Sequence, residues 1–193
     1  MFHWVSFLTY ALVTAATPGP NNLMSLSNAS RRGFRAALPF NLGIGVGFTI
    51  VMLACTAFCS VLSAVIPKIK RPMLILGAAY MLCLAWETFR SDGVGEKDAR
   101  GSFLSGLLLQ FVNPKIYLYG VMSMQAYVLP AYAGRPLALA GFALLLAGIG
   151  FFFTVCWAAF GSVFRRLFSR HARLVNTVMA LLLVYCAVSL FLA

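Results

Sequence analysis

The chain has 193 residues, of which 62% are hydrophobic and 10% are charged, and its formal net charge is +11. A soluble domain usually carries about 25% charged residues, so this chain has too little polar material to cover a globule in water. The composition predicts an integral membrane protein with a single membrane domain over residues 1–193. Nucleic-acid binding is disfavoured, because the cations lie in clusters between apolar runs, where they meet lipid headgroups and set topology.

Six apolar runs follow one another along the chain, separated by short linkers that contain most of the charge. A spanning helix needs about 20 apolar residues, and the runs lack the strict alternation of a transmembrane β-strand. We therefore expect an all-α fold with six transmembrane helices. Their approximate bounds are 4–29, 38–64, 73–90, 103–129, 136–162 and 174–193.

The first run is interrupted at Thr17-Pro18-Gly19-Pro20-Asn21-Asn22. Proline removes a backbone donor and clashes with the preceding turn, so the first helix should break there, about 21 Å from the surface at which it enters the bilayer. Half-helix ends at that depth offer N–H groups and carbonyls, and Asn21 and Asn22 add side-chain amides. This combination suits the carboxylate and the ammonium of an amino acid. The alternative is a proline kink that only shapes packing.

Glycines and cysteines in the second and third runs indicate packing rather than chemistry. Gly43, Gly45 and Gly47 resemble part of a dinucleotide fingerprint, but that motif needs a soluble βαβ unit, so we interpret them as sites of close helix contact. The five cysteines, Cys55, Cys59, Cys83, Cys156 and Cys186, all lie in apolar runs without neighbouring His or carboxylate ligands. We expect no metal site and no cofactor.

The fourth run is interrupted at Val112-Asn113-Pro114-Lys115, and Pro114 follows Pro18 by 96 positions. This break lies about 17 Å from the opposite surface, again near the midplane. Lys115 is the one cation deep within a run, and intramembrane charges usually face a cavity or the interior of the helix bundle. It could pair with a substrate carboxylate. Alternatively, it snorkels or pairs with a carbonyl freed by the first break.

The two halves of the chain share one pattern: a broken helix, a glycine-rich helix, a basic linker and a last helix. Three spans in each half is an odd number, so the halves should be two inverted repeats, about 1–92 and 101–193, with helices one and four broken by proline. In such transporters the substrate site lies where the broken helices meet. The predicted substrate-binding residues are Thr17, Pro18, Gly19, Pro20, Asn21, Asn22, Asn113, Pro114 and Lys115.

The distribution of Lys and Arg predicts the orientation. The linkers after the first, third and fifth runs hold ten cations: Arg31, Arg32, Arg35, Arg90, Lys97, Arg100, Arg165, Arg166, Arg170 and Arg173. The other two linkers hold four: Lys68, Lys70, Arg71 and Arg135. The positive-inside rule places the richer set in the cytoplasm, so both termini should be periplasmic.

The motifs together resemble those of a known family. Thr17-Pro18-Gly19-Pro20-Asn21 at the end of a first helix and Phe111-Val112-Asn113-Pro114-Lys115 opening the second half are similar to the LysE/RhtB family of amino-acid exporters. Four further segments resemble its cysteine/O-acetylserine exporters: Gln110 to Asn113, Leu118-Tyr119-Gly120-Val121, Val155-Cys156-Trp157-Ala158 and Leu183 to Val188. The resemblance implies a multi-pass protein of the bacterial inner membrane that exports small amino acids, driven by the proton gradient.

Other classes of function fit the sequence less well than export. A passive channel or a membrane assembly protein is the main alternative. An intramembrane enzyme is less favoured, since the spans hold no HExxH or GxSxG motif and no Asp or His. The expected partners are a small amino-acid substrate, protons and the lipid bilayer, with no nucleic acid, and a homo-oligomer is compatible with the sequence.

Overall fold

The structure is a computed structural model, and it describes residues 2–90, 101–164 and 171–192. This described part contains helices and no strand, which confirms the all-α prediction. A π-helical turn, Met124–Val128, joins α6 to α7. The α-helices are α1 (Trp4–Ala16), α2 (Pro20–Arg32), α3 (Phe34–Ala57), α4 (Cys59–Arg90), α5 (Phe103–Val112), α6 (Pro114–Ser123), α7 (Leu129–Tyr132), α8 (Pro136–Val163) and α9 (Ala172–Leu192).

Both proline-containing runs are divided where the sequence predicts. α1 ends at Ala16, and α2 begins at Pro20, while α5 and α6 are separated only by Asn113. Pro20 and Pro114 each occupy the first position of the following helix. A proline is tolerated there, because the N–H that it lacks would have no partner within the helix. The prolines therefore start the second half-helices rather than kink a continuous one.

Two helices in the described ranges, α3 and α8, are long and apolar enough to cross a membrane, judged by length and composition. α1, α5 and the segment Arg173–Val188 are shorter apolar helices. The count of six spans stays a prediction. Two of the linkers from which the orientation is predicted have cations that lie outside the described residues. These cations are Lys97, Arg100, Arg165, Arg166 and Arg170.

One boundary differs from the sequence prediction. A linker was expected at about 65–72, between the second and third runs, but the backbone of α4 is helical from Cys59 to Arg90. The turn instead lies at Phe58, directly after α3. Lys and Arg are good helix formers, so a basic segment can continue a helix. Charge alone therefore could not mark the end of a helix here.

α2 also departs from the expectation of an apolar run through residue 29. Six of its residues are polar and buried: Asn21, Asn22, Ser25, Ser27, Asn28 and Ser30. Every residue from Pro20 to Ser30 is buried, with α3, α8 and α9 in contact with the helix. A polar half-helix is excluded from lipid because its side chains need polar partners. The apolar helices thus enclose a polar segment that begins at the first break.

Glycines allow the helices around the breaks to approach closely. A Cβ added at Gly43 would clash with the Phe103 carbonyl, and one at Gly106 would clash with the Phe40 carbonyl, so α3 and α5 touch backbone to backbone. This confirms the packing role predicted for Gly43. A Cβ at Gly161 would meet the carbonyl of Leu26, which places α8 directly against α2. Small residues at such contacts are typical of membrane helices.

The order of elements repeats in the two halves. A divided helix is followed by a glycine with positive φ and then by a long apolar helix: Gly33 (φ 87°) precedes α3, and Gly134 (φ 78°) precedes α8. Positive φ is the region that favours glycine. The two glycines lie 101 positions apart, close to the spacing of the two prolines.

Candidate functional site

The two breaks lie side by side and border one cavity. Six of the nine predicted site residues line it: Gly19, Pro20, Asn21, Asn22, Asn113 and Lys115. The cavity has about 40 Å³ of free space for water molecules, and one water needs about 10–15 Å³. It therefore admits a few waters or a small polar molecule in this conformation.

A buried cluster of three amides joins the two breaks. The Asn21 side-chain amide Nδ2 donates to Gln110 Oε1 at 2.8 Å, and Asn21 Oδ1 accepts from Gln110 Nε2 and Asn113 Nδ2, each at 3.2 Å. Gln110 Nε2 also donates to the Gly106 carbonyl at 2.8 Å. Gln110 is fully buried. The start of α2 is thereby fixed to the end of α5 by hydrogen bonds between polar groups on both sides.

The carbonyls at the end of α1 are occupied by donors from three parts of the chain. Asn22 Nδ2 donates to the carbonyls of Ala15 and Thr17, each at 2.9 Å. Trp157 Nε1 on α8 donates to the Ala16 carbonyl at 3.2 Å. The Cys186 thiol on α9 lies 3.9 Å from the Pro18 carbonyl. Groups freed by a break inside the bundle are expected to find such partners.

Lys115 reaches from the second break to the first. Its ammonium Nζ lies 2.9 Å from the Thr17 hydroxyl, 3.1 Å from the Thr17 carbonyl and 3.4 Å from the Pro18 carbonyl. The N–H groups of the ammonium thus meet three oxygens at the C-terminal end of α1. Its positive charge also interacts favourably with the partial negative charge of the helix dipole at that end. Of the alternatives for Lys115, this geometry favours pairing with freed carbonyls.

The two half-helix N-termini are capped differently. At α6, Asn113 Oδ1 accepts from the Lys115 backbone N–H at 3.1 Å. At α2, Gly19 is the N-cap and contributes no side-chain hydrogen bond, and the first helical bond runs from Leu23 N to the Gly19 carbonyl at 2.9 Å. The N–H groups of Asn21 and Asn22 therefore precede the first intrahelical bond. They belong to residues that line the cavity.

The N-terminus of α2 and the Lys115 ammonium are close neighbours. A Cβ added at Gly19 would lie 3.1 Å from Lys115 Nζ. A helix N-terminus carries partial positive charge, and the ammonium adds a full one. The cavity is therefore electropositive on this side and suited to a carboxylate.

The rest of the cavity lining comes from residues that the sequence did not indicate as site residues: Thr14, Ala15, Phe48, Ile116, Tyr119, Gly150 and Thr154. The rings of Phe48 and Tyr119 meet edge to face at 5.9 Å, and the Thr154 hydroxyl donates to the Gly150 carbonyl at 2.9 Å. Gln110 was missed as well, although a glutamine beside Asn113 in an apolar run was a usable signal. No comparable feature of the sequence indicated Thr154 or Tyr119.

The remaining predicted residues lie around the cavity rather than on its wall. Thr17 and Pro18 are exposed and contact Lys115 through their oxygens, and Pro114 is buried at the start of α6. No group of three His, Cys, Asp or Glu side chains that could hold a metal ion occurs among the described residues. In that part of the chain the cysteines are free thiols; Cys55, Cys59 and Cys186 are buried, whereas Cys83 and Cys156 lie on the surface.

Comparison with known proteins gives a consistent result. The family model described as "LysE type translocator" matches residues 12–193. The cysteine/O-acetylserine efflux protein of Escherichia coli K12 is 44% identical over 190 residues, covering 96% of each chain. Its namesakes in Shigella flexneri and Shigella sonnei match equally. No solved structure gives a significant match.

Proposed function

Because the chain belongs to the family of LysE-type translocators, whose members are integral membrane proteins, we propose that it exports small amino acids or their derivatives from the cytoplasm. Cysteine and O-acetylserine are the substrates suggested by the names of its 44% identical relatives. The observation that carries the proposal is the cavity at which the two breaks meet, with the uncapped start of α2 beside the Lys115 ammonium.

In this proposal the substrate carboxylate binds at the start of α2. The backbone N–H groups of Asn21 and Asn22 donate to it, and Lys115 supplies positive charge from the side. Because the Lys115 ammonium already contacts three oxygens of α1, its role toward the carboxylate is electrostatic rather than that of a free binding group. This role differs from the direct pairing considered from the sequence.

The substrate ammonium needs acceptors among the residues that line the same cavity. The Oδ1 atom of Asn22 accepts no hydrogen bond from other groups of the described residues, while its Nδ2 holds the carbonyls of Ala15 and Thr17. The Thr154 hydroxyl donates to Gly150 and keeps its lone pairs as acceptors. The limited space between these groups and the Phe48 and Tyr119 rings favours a small side chain.

We assign the chain six spans in two inverted repeats, 1–92 and 101–193, in the bacterial inner membrane with both termini periplasmic. The repeated order of break, positive-φ glycine and long apolar helix supports the repeats. The cations of the last turn of α2, Arg31 and Arg32, support the orientation.

Export is proposed to be driven by the proton gradient, as the family resemblance implies. A carrier is favoured over a passive channel, because the α2 residues that continue from the cavity toward Arg32 are buried rather than open. The bound substrate would then be accessible from one side of the membrane at a time, as the helices around the breaks move.

Exchange by the purified protein in liposomes tests the binding mode. Labelled O-acetylserine should exchange against internal cysteine or O-acetylserine, and an amino acid whose carboxylate is replaced by a carboxamide should compete poorly. A carboxamide has no charge for the α2 N-terminus, and a charged hydrogen bond contributes about 1.5–3 kcal/mol, or roughly ten- to a hundredfold in affinity. Equal competition by acid and carboxamide would contradict the proposed carboxylate site.

A further inference from the structure

The buried polar side chains of α2 continue beyond the cavity. Asn21, Ser25 and Asn28 follow one another at helical spacing, and we name these three residues the α2 stripe. All three are less than one-tenth exposed, and Ser25 is fully buried. Ser25 Oγ and Asn28 Nδ2 have no hydrogen-bond partner. Only Asn21 belongs to the amide cluster already described.

The spacing places the stripe on one side of α2. At 3.6 residues per turn, positions 21, 25, 28 and 32 fall within about 60° of arc. The first of them meets Gln110 at the end of α5. The last, Arg32, meets Gly101 just before α5 begins, since a Cβ added at Gly101 would clash with its guanidinium. The side of α2 that carries the stripe thus meets Gln110 at one end and Gly101 at the other, while along its length α2 packs mainly against α8 and α3.

The polar groups of the stripe are not explained by packing. A buried donor without a partner destabilises the folded state, and an apolar side chain of the same shape would be more stable. Another serine of the same helix shows the usual arrangement, because the buried Ser30 hydroxyl donates to the Ser27 carbonyl at 2.9 Å. Ser30 points about 140° away from Ser25. On α2 the unpartnered groups thus lie on the side that carries the stripe.

We propose that the α2 stripe lines the half of the substrate route between the cavity and the cytoplasm, and that this half is closed in the present structure. When the helices packed around the stripe separate, water and a small zwitterion satisfy Ser25 and Asn28, which explains why polar groups are kept where they have no partner. Arg32 at the end of the stripe adds positive charge that attracts the substrate carboxylate. The proposal rests on the proposed export function and extends it to a path.

Substitution by apolar residues tests the path against a structural role. Asn28→Leu and Ser25→Ala should keep or raise the melting temperature in detergent, yet lower the initial rate of O-acetylserine efflux from liposomes by about tenfold or more. Ser30→Ala, a matched buried serine outside the stripe, should export at the wild-type rate. A fall in melting temperature that accounts for the lost efflux, or wild-type efflux in both stripe variants, would overturn the proposal.

Accessibility gives a test that does not depend on the substrate. Single cysteines at Ser25, Asn28 and Ser30, in full-length protein without its native cysteines, are treated in inside-out vesicles with a charged methanethiosulfonate. The stripe positions should react faster than position 30, and O-acetylserine should slow them. Equal or absent reaction at all three positions would overturn the path. If the wild type shows no efflux but the stripe reacts selectively, the export function fails while the hydrated path stands.

Discussion

Replacing Lys115 by methionine isolates the role of its ammonium at the first break. The variant keeps an unbranched side chain and removes three polar contacts, to the Thr17 hydroxyl and to the carbonyls of Thr17 and Pro18. The Thr17 carbonyl would keep Asn22 as a donor. The Pro18 carbonyl would keep only the Cys186 thiol at 3.9 Å, a weak donor.

One carbonyl therefore loses its strong donor. Pro18 is exposed, so the loss is that of an ordinary hydrogen bond rather than the full penalty of an unpaired buried acceptor, about 0.5–1.5 kcal/mol. For a chain of this size that corresponds to a fall of about 1–6 °C in melting temperature. Exchange of O-acetylserine should also weaken, since the positive charge beside the α2 N-terminus is lost.

Thermal unfolding in detergent, exchange and gradient-driven efflux should be measured on the same preparation of Lys115→Met. Thr17→Val serves as a control, because it removes the hydroxyl acceptor and leaves both carbonyls paired with the ammonium. A wild-type melting temperature together with lost exchange would refute the bridging role and restore direct binding of the substrate carboxylate. Normal exchange with a lost response to the gradient would instead indicate that Lys115 serves coupling.

Three more predictions concern the surroundings of the cavity. Gln110→Leu should lower the free energy of unfolding by about 1–3 kcal/mol, measured by thermal unfolding, because it leaves polar partners across the breaks unpaired. The same variant should also exchange substrate more slowly. Gly106→Ala should sharply reduce the yield of folded protein on size-exclusion chromatography, whereas Gly148→Ala, where an added Cβ meets nothing within 4 Å, should be neutral. A cysteine at Arg32 should be protected from an impermeant thiol reagent in intact cells and one at Arg135 labelled; the opposite pattern would invert the topology.

The sequence predicted the breaks because proline has a backbone consequence that does not depend on tertiary context. The polar residues that the sequence places inside apolar runs, Asn21, Asn22, Asn113 and Lys115, all line the cavity. The sequence does not specify the direction in which the Lys115 side chain points. Its reach across to Thr17 depends on how the two half-helices are placed, which no local pattern specifies.

Other features were outside the reach of sequence patterns for physical reasons. The continuity of α4 could not be seen because basic residues end an apolar run without ending a helix. The wall formed by Phe48, Tyr119 and Thr154 uses residue types that are ordinary in a membrane helix. The Trp157 indole donates a hydrogen bond to the Ala16 carbonyl at the first break. Trp157 belongs to one of the segments that resemble the family, and its contact with the break is visible only in the fold.

Efflux from liposomes is the direct test of whether this chain exports amino acids. The purified chain is reconstituted, the liposomes are loaded with labelled O-acetylserine, and its release is followed with and without an imposed pH gradient, beside protein-free liposomes. Gradient-driven export by this chain predicts release that requires the protein, saturates with internal substrate, is competed by cysteine and accelerates with the gradient. Release equal to that of protein-free liposomes, or a leak that neither saturates nor discriminates among small solutes, would contradict it.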